Sequence, residues 1–259
     1  MNSPSYPPLS FSMDDIVVAR LNRPPGRRQR IANQVLARLG TGLRVAARPY
    51  SWGYGNVESR VNVFHLASQT CAYDVPGDLV EVGCALGGSS VVIQSVLSAG
   101  GETGKSFHVY DSFEGLPEPS ATDAADSVYR KGDMAAPLER FEASFRHIGL
   151  PSLPVIHRGW FDDTIPAQLP DRISFALIDC DLYTSTAHVL PHVYARMAPN
   201  AICMFGVYYD PSVYLRDGIP GNYASPGVKR ATDQFFASRP ERVCVLYANE
   251  YSNGYFRKL

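Results

Sequence analysis

The sequence predicts an α/β fold in which helices cover both faces of a mostly parallel β-sheet. Three observations predict it. From residue 78 onward, apolar runs containing β-branched residues alternate with stretches of helical periodicity. These runs are too apolar for strands with a solvated face, and they match strands buried in a parallel sheet. The final two runs are joined by a turn too short for a parallel crossover, so they must pair antiparallel.

The elements follow in order along the chain. Residues 1–10 are rich in Pro and Ser, and we expect this start to be disordered. Apolar spacing predicts helices over 13–39, 57–72, 87–98, 136–148, 184–197 and 226–238. Strands are predicted over 78–83, 106–111, 153–157, 173–179, 201–208, 242–247 and 254–259. We therefore expect an N-terminal helical cap over residues 1–56 and one α/β domain over residues 57–259.

Composition narrows the function classes. A net charge of −1 argues against a nucleic-acid partner, and no apolar run reaches the roughly 18 residues of a membrane span. The start lacks the features of a secretory signal, and the five cysteines contain no CxxC pair. We expect a cytoplasmic protein with a small-molecule partner. An Arg-rich segment over residues 20–48 fits a solvated helix face, and a docking surface for an acidic partner or a phosphorylated substrate is the alternative. The helices of this segment could also pair subunits into a homo-oligomer.

Two long connections, 112–135 and 208–225, follow predicted strands. Loops of this length in a compact domain are usually functional or disordered. Because open α/β sheets bind ligands at the carboxyl ends of their strands, we expect both connections to cover one crevice.

A glycine-rich turn, VEVGCALGGSS, joins the first of these strands to its helix. Glycine allows the backbone to approach a ligand closely, and the N–H groups at the helix start point into the crevice. The spacing Gly83-x-x-x-Gly87-Gly88 differs from the G-x-G-x-x-G pattern of dinucleotide enzymes, which disfavours a nicotinamide dehydrogenase. A purely structural tight turn is the alternative.

Acidic and aromatic side chains follow the next three strands. Asp111 ends the second strand, where a carboxylate can accept both hydrogen bonds of a ribose diol; a strand-capping role is the alternative. Trp160 and Phe161 offer an apolar wall for a purine, or else they fill the core. Asp179 and Asp181 are candidates to take the proton of a hydroxyl nucleophile, while a helix cap is the alternative for Asp181.

Taken together, VEVGCALGGSS, DSFEGLP, GWFDDTIP and DCDLYTST resemble the macrocin-type O-methyltransferase family, whose members methylate sugar hydroxyls of antibiotics. The similarity extends from about residue 57 to the end and includes SPGVKRATDQFF. The resemblance implies a Rossmann-like class I methyltransferase fold, with a seven-stranded sheet containing one antiparallel strand. It also implies S-adenosylmethionine as methyl donor and, in many members, a divalent metal.

The resemblance also implies roles for individual residues. The methionine end of the donor would be lined by Glu81, Gly83 and Ser89. Asp111 would bind the ribose hydroxyls, and the adenine would be bordered by Ser112, Phe113, Trp160 and Phe161. Asp179 would contact the donor and would also take part in catalysis.

The chain departs from the family after the next strand, where relatives carry two adjacent aspartates that complete the metal site. Gly206 and Val207 stand there instead, and neither side chain can bind a cation. Mg²⁺ takes about six oxygen ligands, so Asp179 and Asp181 alone would form a weak site. Asp210 would add a ligand only if its loop bends back. We therefore expect no bound metal.

The expected function is methyl transfer from S-adenosylmethionine to an oxygen of a natural product, on a sugar, phenol or polyketide. The base would be Asp179, Asp181 or Tyr208. The alternative keeps the donor pocket but abandons methyl transfer, in favour of a rearrangement, a cyclisation or non-catalytic binding. The mass of the product separates the two.

Overall fold

The computed structural model describes residues 27–41, 55–100, 104–124, 129–208, 225–246 and 252–259. The helices in these ranges are α1 (Arg27–Arg38), α2 (Val57–Ala72), α3 (Gly88–Ala99), α4 (Ala121–Ala124), α5 (Leu138–Ile148), α6 (Phe161–Thr164), α7 (Tyr183–Arg196) and α8 (Pro226–Phe236). The strands are β1 (Asp78–Val82), β2 (Phe107–Asp111), β3 (Val155–Arg158), β4 (Ile173–Ile178), β5 (Met197–Phe205), β6 (Cys244–Leu246) and β7 (Asn253–Arg257).

The strands form a single sheet in the order β3-β2-β1-β4-β5-β7-β6. Strands β1 to β5 are parallel, and β7 runs antiparallel to both β5 and β6. This arrangement confirms the predicted seven-stranded sheet with one antiparallel strand. Strand order reverses between β1 and β4, and such a switch point opens a crevice outside the carboxyl ends of the strands.

The core lies on both faces of the sheet, as the apolar strands require. All six residues of β4 are buried. Side chains alternate between the two faces, so that Leu79 and Leu177 pack with residues of α2, α3 and α5. Val80 and Ile178 pack on the opposite face with residues of α7 and α8. Each fully buried side chain of this kind contributes roughly 1.5–3 kcal/mol by leaving water.

The elements differ from the sequence prediction at a few places. Helices α4 and α6 were not predicted, because four residues are too few to show a helical period. Strand β5 begins at Met197 rather than at residue 201, since exposed Pro199 and Asn200 resemble a turn in the sequence. Residues 1–26, with the expected disordered start, lie outside the described residues. No helix in the described ranges is long and apolar enough to cross a membrane.

Candidate active site

A cavity of about 620 Å³ opens at the carboxyl ends of the parallel strands. Its lining includes a residue at the carboxyl end of each of β1 to β5, namely Gly83, Asp111, Gly159, Asp179 and Gly206. The two long connections also contribute, through residues 115–118, Tyr129, Met134 and Ser225. The expected shared crevice is therefore present in the described residues, while 209–224 of the second connection lie outside them.

The glycine turn is shaped by close packing as well as by the cavity. Gly83 and Gly87 have φ values of +84° and +80°, in the left-handed region that favours glycine. A Cβ on Gly83 would lie 2.1 Å from the carbonyl oxygen of Asp179, and one on Gly87 would lie 2.9 Å from Phe141. These two glycines are therefore required by the tight turn itself, which was the alternative for this segment. The turn that they form presents Gly88 and Ser89 to the cavity.

Asp111 joins the glycine turn to the second strand. Its Oδ2 accepts hydrogen bonds from the backbone N–H groups of Cys84 and Ala85, both at 2.9 Å. Its Oδ1 accepts one from Phe113 at 2.8 Å and keeps lone-pair capacity for a ligand. The carboxylate thus caps the end of its strand, which was the alternative role for Asp111, and it also lines the cavity. The turn and the acid that were expected to hold a nucleoside form one wall.

Glu81 supports this wall from behind and does not line the cavity. It is fully buried, and it accepts hydrogen bonds from the hydroxyls of Ser89 and Ser90. Burial raises the pKa of Glu81 to about 7, although the two hydroxyls act in the opposite direction. The expectation that Glu81 lines the methionine end therefore differs from the structure, because Ser89 stands between the carboxyl and the open space.

The residues expected around an adenine divide into two groups. Ser112, Trp160 and Phe161 line the cavity. Phe113 does not, because its positive φ of 59° directs the ring into the core. There it packs edge-on against Phe141 with ring centroids 5.6 Å apart.

Asp179 lies at the floor of the cavity, against Gly206. A Cβ on Gly206 would come within 2.2 Å of the Asp179 Cγ, so the absence of a side chain at 206 makes room for this carboxyl. Burial raises the pKa of Asp179 well above its usual range, and the charges of Asp181 and Glu81 raise it further. The shift favours the protonated form of Asp179.

Asp181 is held by two hydroxyls from the long connections. Its Oδ1 accepts hydrogen bonds from Ser225 Oγ at 3.1 Å and from the Tyr129 hydroxyl at 3.4 Å. Burial raises the pKa of Asp181 to about 6, while those two hydrogen bonds oppose the rise. The Oδ2 atom accepts no hydrogen bond from the residues that the structure describes.

Asp181 is not the N-cap of α7, which was the alternative for this residue. The N-cap position is Leu182, whose side chain makes no capping bond. Asp123, from the first long connection, instead accepts the Thr184 N–H at 3.0 Å and the Thr184 hydroxyl at 2.7 Å. This replacement leaves the Asp181 carboxyl for the cavity.

Tyr208 does not share the cavity with the acid pair, contrary to the expectation that it could serve as base. Its hydroxyl donates to Asp233, and its ring lies 5.0 Å from the Lys229 Nζ. Backbone hydrogen bonding between Tyr208 and Ser252 fixes this orientation. Asp210, the expected additional metal ligand, lies outside the described residues.

The side chains that surround the acid pair do not match a magnesium shell. Within the described ranges, no three His, Cys, Asp or Glu side chains form a group that could hold a metal ion. Gly206 and Val207 line the cavity beside the acids and offer no side-chain oxygen. Mg²⁺ takes about six oxygen ligands in near-octahedral geometry, and at this floor the described residues offer it only the carboxylates of Asp179 and Asp181, so the donor set is too poor to hold the ion firmly.

Sequence comparisons identify relatives of this chain. The profile of the family described as Macrocin-O-methyltransferase (TylF) matches residues 51–214. The chain is 38% identical over 153 residues to the 8-demethyl-8-(2,3-dimethoxy-alpha-L-rhamnosyl)-tetracenomycin-C 4'-O-methyltransferase of Streptomyces olivaceus, covering 57% of this chain and 59% of that one. It is 28% identical over 159 residues to the Mycinamicin III 3''-O-methyltransferase of Micromonospora griseorubida, covering 58% and 63%. The alignments thus span less than two thirds of these curated relatives.

Solved structures share the fold. The O-methyltransferase NovP superimposes with a TM-score of 0.70 at 22% identity, over 96% of this chain and 97% of that one. The calicheamicin methyltransferase CalS11 superimposes with a TM-score of 0.54 at 18% identity, over 92% and 95%. The sheet and these neighbours confirm the predicted Rossmann-like class I methyltransferase fold.

Proposed function

The chain belongs to the macrocin-O-methyltransferase family, and on that premise we propose that it methylates an oxygen of a small-molecule natural product with S-adenosylmethionine as donor. The observation that carries the proposal is the cavity of about 620 Å³ in which the glycine turn, Asp111 and the acid pair meet. A pocket of this size accommodates a nucleoside and part of an acceptor.

The cavity fits the donor in shape and charge. S-adenosylmethionine supplies an electrophilic methyl group on a cationic sulfonium when it is bound. Asp111 offers its Oδ1 to a ribose hydroxyl, and Trp160 and Phe161 offer apolar surface to the adenine. Ser89, held by Glu81, faces the methionine end. The acidic lining stabilises a positive charge in a partly dry cleft.

Asp181 is our candidate for the general base. Its Oδ1 is held by Ser225 and Tyr129, which leaves Oδ2 to accept the proton of an acceptor hydroxyl. Asp181 would take the proton of the acceptor hydroxyl, and the donor would supply the methyl group to that oxygen and leave as the neutral thioether. Asp179 lies beside the reacting oxygen, and its raised pKa favours the neutral form, which would limit repulsion there.

The class of acceptor is argued from the relatives. Their names specify O-methylation of tetracenomycin, mycinamicin and novobiocin compounds. We propose a sugar, phenol or polyketide hydroxyl for this chain. A phenol or another acidic hydroxyl suits a site without a metal, because it loses its proton more readily than a sugar alcohol.

Calorimetry and mass spectrometry test the proposal. We expect the protein to bind S-adenosylhomocysteine and to add one methyl group to an O-demethylated antibiotic glycoside or phenol. The matched variant Asp181→Asn should bind the donor normally and form little product. Absence of donor binding by the unaltered protein would overturn the proposal.

A second candidate function is favoured by Gly206, which replaces a family acid at the floor of the cavity. The bound sulfonium would then act as a fixed positive charge in a rearrangement or cyclisation, or the protein would bind the donor without catalysis. An isomeric product, without a mass gain, would support this candidate.

We also propose a cytoplasmic location and small-molecule partners rather than nucleic acid or membrane. All five cysteines are free, and Cys84, Cys180 and Cys203 are buried, which suits a reducing compartment. Pairing of subunits stays a prediction. An exposed apolar stripe supports it, formed at four-residue spacing by Ile31 and Val35 of α1 and by Leu39 directly after the helix.

A further inference from the structure

An arginine is buried at the edge of the proposed donor site, and no residue of the described ranges pairs with its charge. Arg60 lines the cavity and is only 8% exposed. Among the residues that the structure describes, none forms a hydrogen bond or an ion pair with its guanidinium. Burial alone lowers the pKa of Arg60, with no contribution from a neighbouring carboxylate. A guanidinium removed from water in this way is usually paired with an anion.

The charges around the cavity strengthen the case for an anionic ligand at this point. Of the described lining residues, Arg60 is the only Arg or Lys, whereas five are Asp or Glu. None of those five carboxylates forms an ion pair with Arg60. The guanidinium of Arg60 is therefore not neutralised by the acidic floor of the cavity, and it is available to a negative group of the ligand.

The position of Arg60 indicates which ligand carries that group. Arg60 lies in the first turns of α2, whose N-cap is Asn56, and Ser59 beside it also lines the cavity. Val63, one turn further on, packs on the same face of the sheet as the apolar residues of α3. Helix α3 begins at the glycine turn and carries Ser89. Arg60 is therefore on the side of the glycine turn.

The acid pair faces the other side. Asp181 is hydrogen-bonded to Ser225, which is the N-cap of α8, and α7 and α8 cover the opposite face of the sheet. An anion on the acceptor would approach the site from that side. The anion nearest to Arg60 is instead the one at the methionine end of the donor.

We propose that Arg60 binds the α-carboxylate of the methionine portion of S-adenosylmethionine. The inference rests on the proposed function, since it assumes that the cavity holds this donor. A guanidinium fork matches the two oxygens of a carboxylate and binds them through two parallel N–H···O hydrogen bonds. Arg60 then pairs with the one negative group of an otherwise positive ligand.

The test compares two donors that differ only in this carboxylate. Calorimetry would measure binding of S-adenosylmethionine and of decarboxylated S-adenosylmethionine to the unaltered protein and to Arg60→Gln. We expect Arg60→Gln to weaken binding of S-adenosylmethionine at least about tenfold, and to change binding of the decarboxylated donor less than about twofold. Arg60→Lys, which keeps the charge and loses the fork, should give an intermediate loss.

The controls separate this inference from the proposed function. Arg140→Gln removes an exposed arginine from α5 and should leave both affinities unchanged. Undiminished binding of the decarboxylated donor by Arg60→Gln shows that the variant is folded. An equal loss for both donors, or no loss for either, would overturn the role of Arg60 and leave the donor site intact. Absence of donor binding by the unaltered protein would overturn the proposed function itself.

Discussion

Replacing Glu81 with Gln should change how the stability of the protein depends on pH. Glu81 is fully buried, and its pKa is raised from 4.5 to about 7. Between these values the folded protein holds a proton that the unfolded chain has lost. The contribution of this carboxyl to stability is therefore complete below pH 4.5 and is lost as pH rises to about 7. The shift corresponds to about 3 kcal/mol of unfolding free energy.

Urea unfolding curves of the unaltered protein and of Glu81→Gln, recorded from about pH 4 to pH 8, measure this quantity. The free energy of unfolding of the unaltered protein, relative to that of Glu81→Gln, should fall by about 3 kcal/mol across the range. Asp179 and Asp181 are present in both proteins, so their shared contributions cancel to first order. Glu139→Gln removes an exposed carboxyl from α5 and should give a constant difference.

A difference that stays flat with pH would refute the reasoning. It would mean that Glu81 ionises in the folded protein as easily as in the unfolded chain. The two serine hydroxyls would then stabilise the carboxylate fully, and burial would not raise its pKa.

Four further predictions concern the site. Asp111→Ala should raise the donor dissociation constant at least about tenfold in calorimetry, or roughly 1.4 kcal/mol, because a ribose acceptor and three turn hydrogen bonds are lost. Asp181→Asn should lower kcat about 100-fold while donor affinity stays within about twofold. In the unaltered protein, kcat should increase as pH rises and Asp181 loses its proton, and the midpoint of that increase should lie near pH 6. Gly206→Ala should displace the Asp179 carboxyl and lower both kcat and the melting temperature. Activity should survive a strong chelator.

Contrary outcomes are equally specific. Unchanged donor binding by Asp111→Ala would remove Asp111 from the donor site, and full activity of Asp181→Asn would assign the base elsewhere. A Gly206→Ala protein with unaltered kcat and melting temperature would show that the floor of the cavity can adapt. Activity abolished by a chelator and restored by Mg²⁺ would show that residues outside the described ranges complete a metal site.

Much of the fold could be predicted from the sequence, because the buried strands carry continuous apolar runs that can be recognised without knowing which strands pair. The antiparallel pairing of β6 with β7 followed from the length of their connection. The short helices α4 and α6 could not be predicted, since each is fixed by tertiary contacts rather than by a period. Asp123 at the end of α4 illustrates this, because its partner Thr184 is distant in sequence.

The candidate site was predictable where the chemistry is local. Asp111 and the glycine turn could be placed together because parallel strands end at the same edge of the sheet. Phe113 and Tyr208 adjoin that edge in sequence, but a positive φ turns the first into the core and a hydrogen bond to Asp233 holds the second away. Arg60 could have been recognised from the sequence, because it places a charge three residues before Val63 on the buried face of α2.

Tyr129 and Ser225 carried no comparable signal. Tyr129 lies within the first long connection, 52 residues from Asp181, and Ser225 ends the second, 44 residues from Asp181. Only the folded chain brings their hydroxyls to one carboxylate. The sequence could indicate that the connections cover the crevice, but not which of their side chains enter it.

The contact between Asp179 and Gly206 limits how this chain could acquire a cation site, by evolution or by design. One mutation that introduces an aspartate at position 206 would place it in space that the Asp179 carboxyl already fills. The first product would be a crowded, strained pocket instead of a third ligand. A library that aims to install a divalent ion should therefore vary positions 179 and 206 together, since neither change is expected to succeed alone.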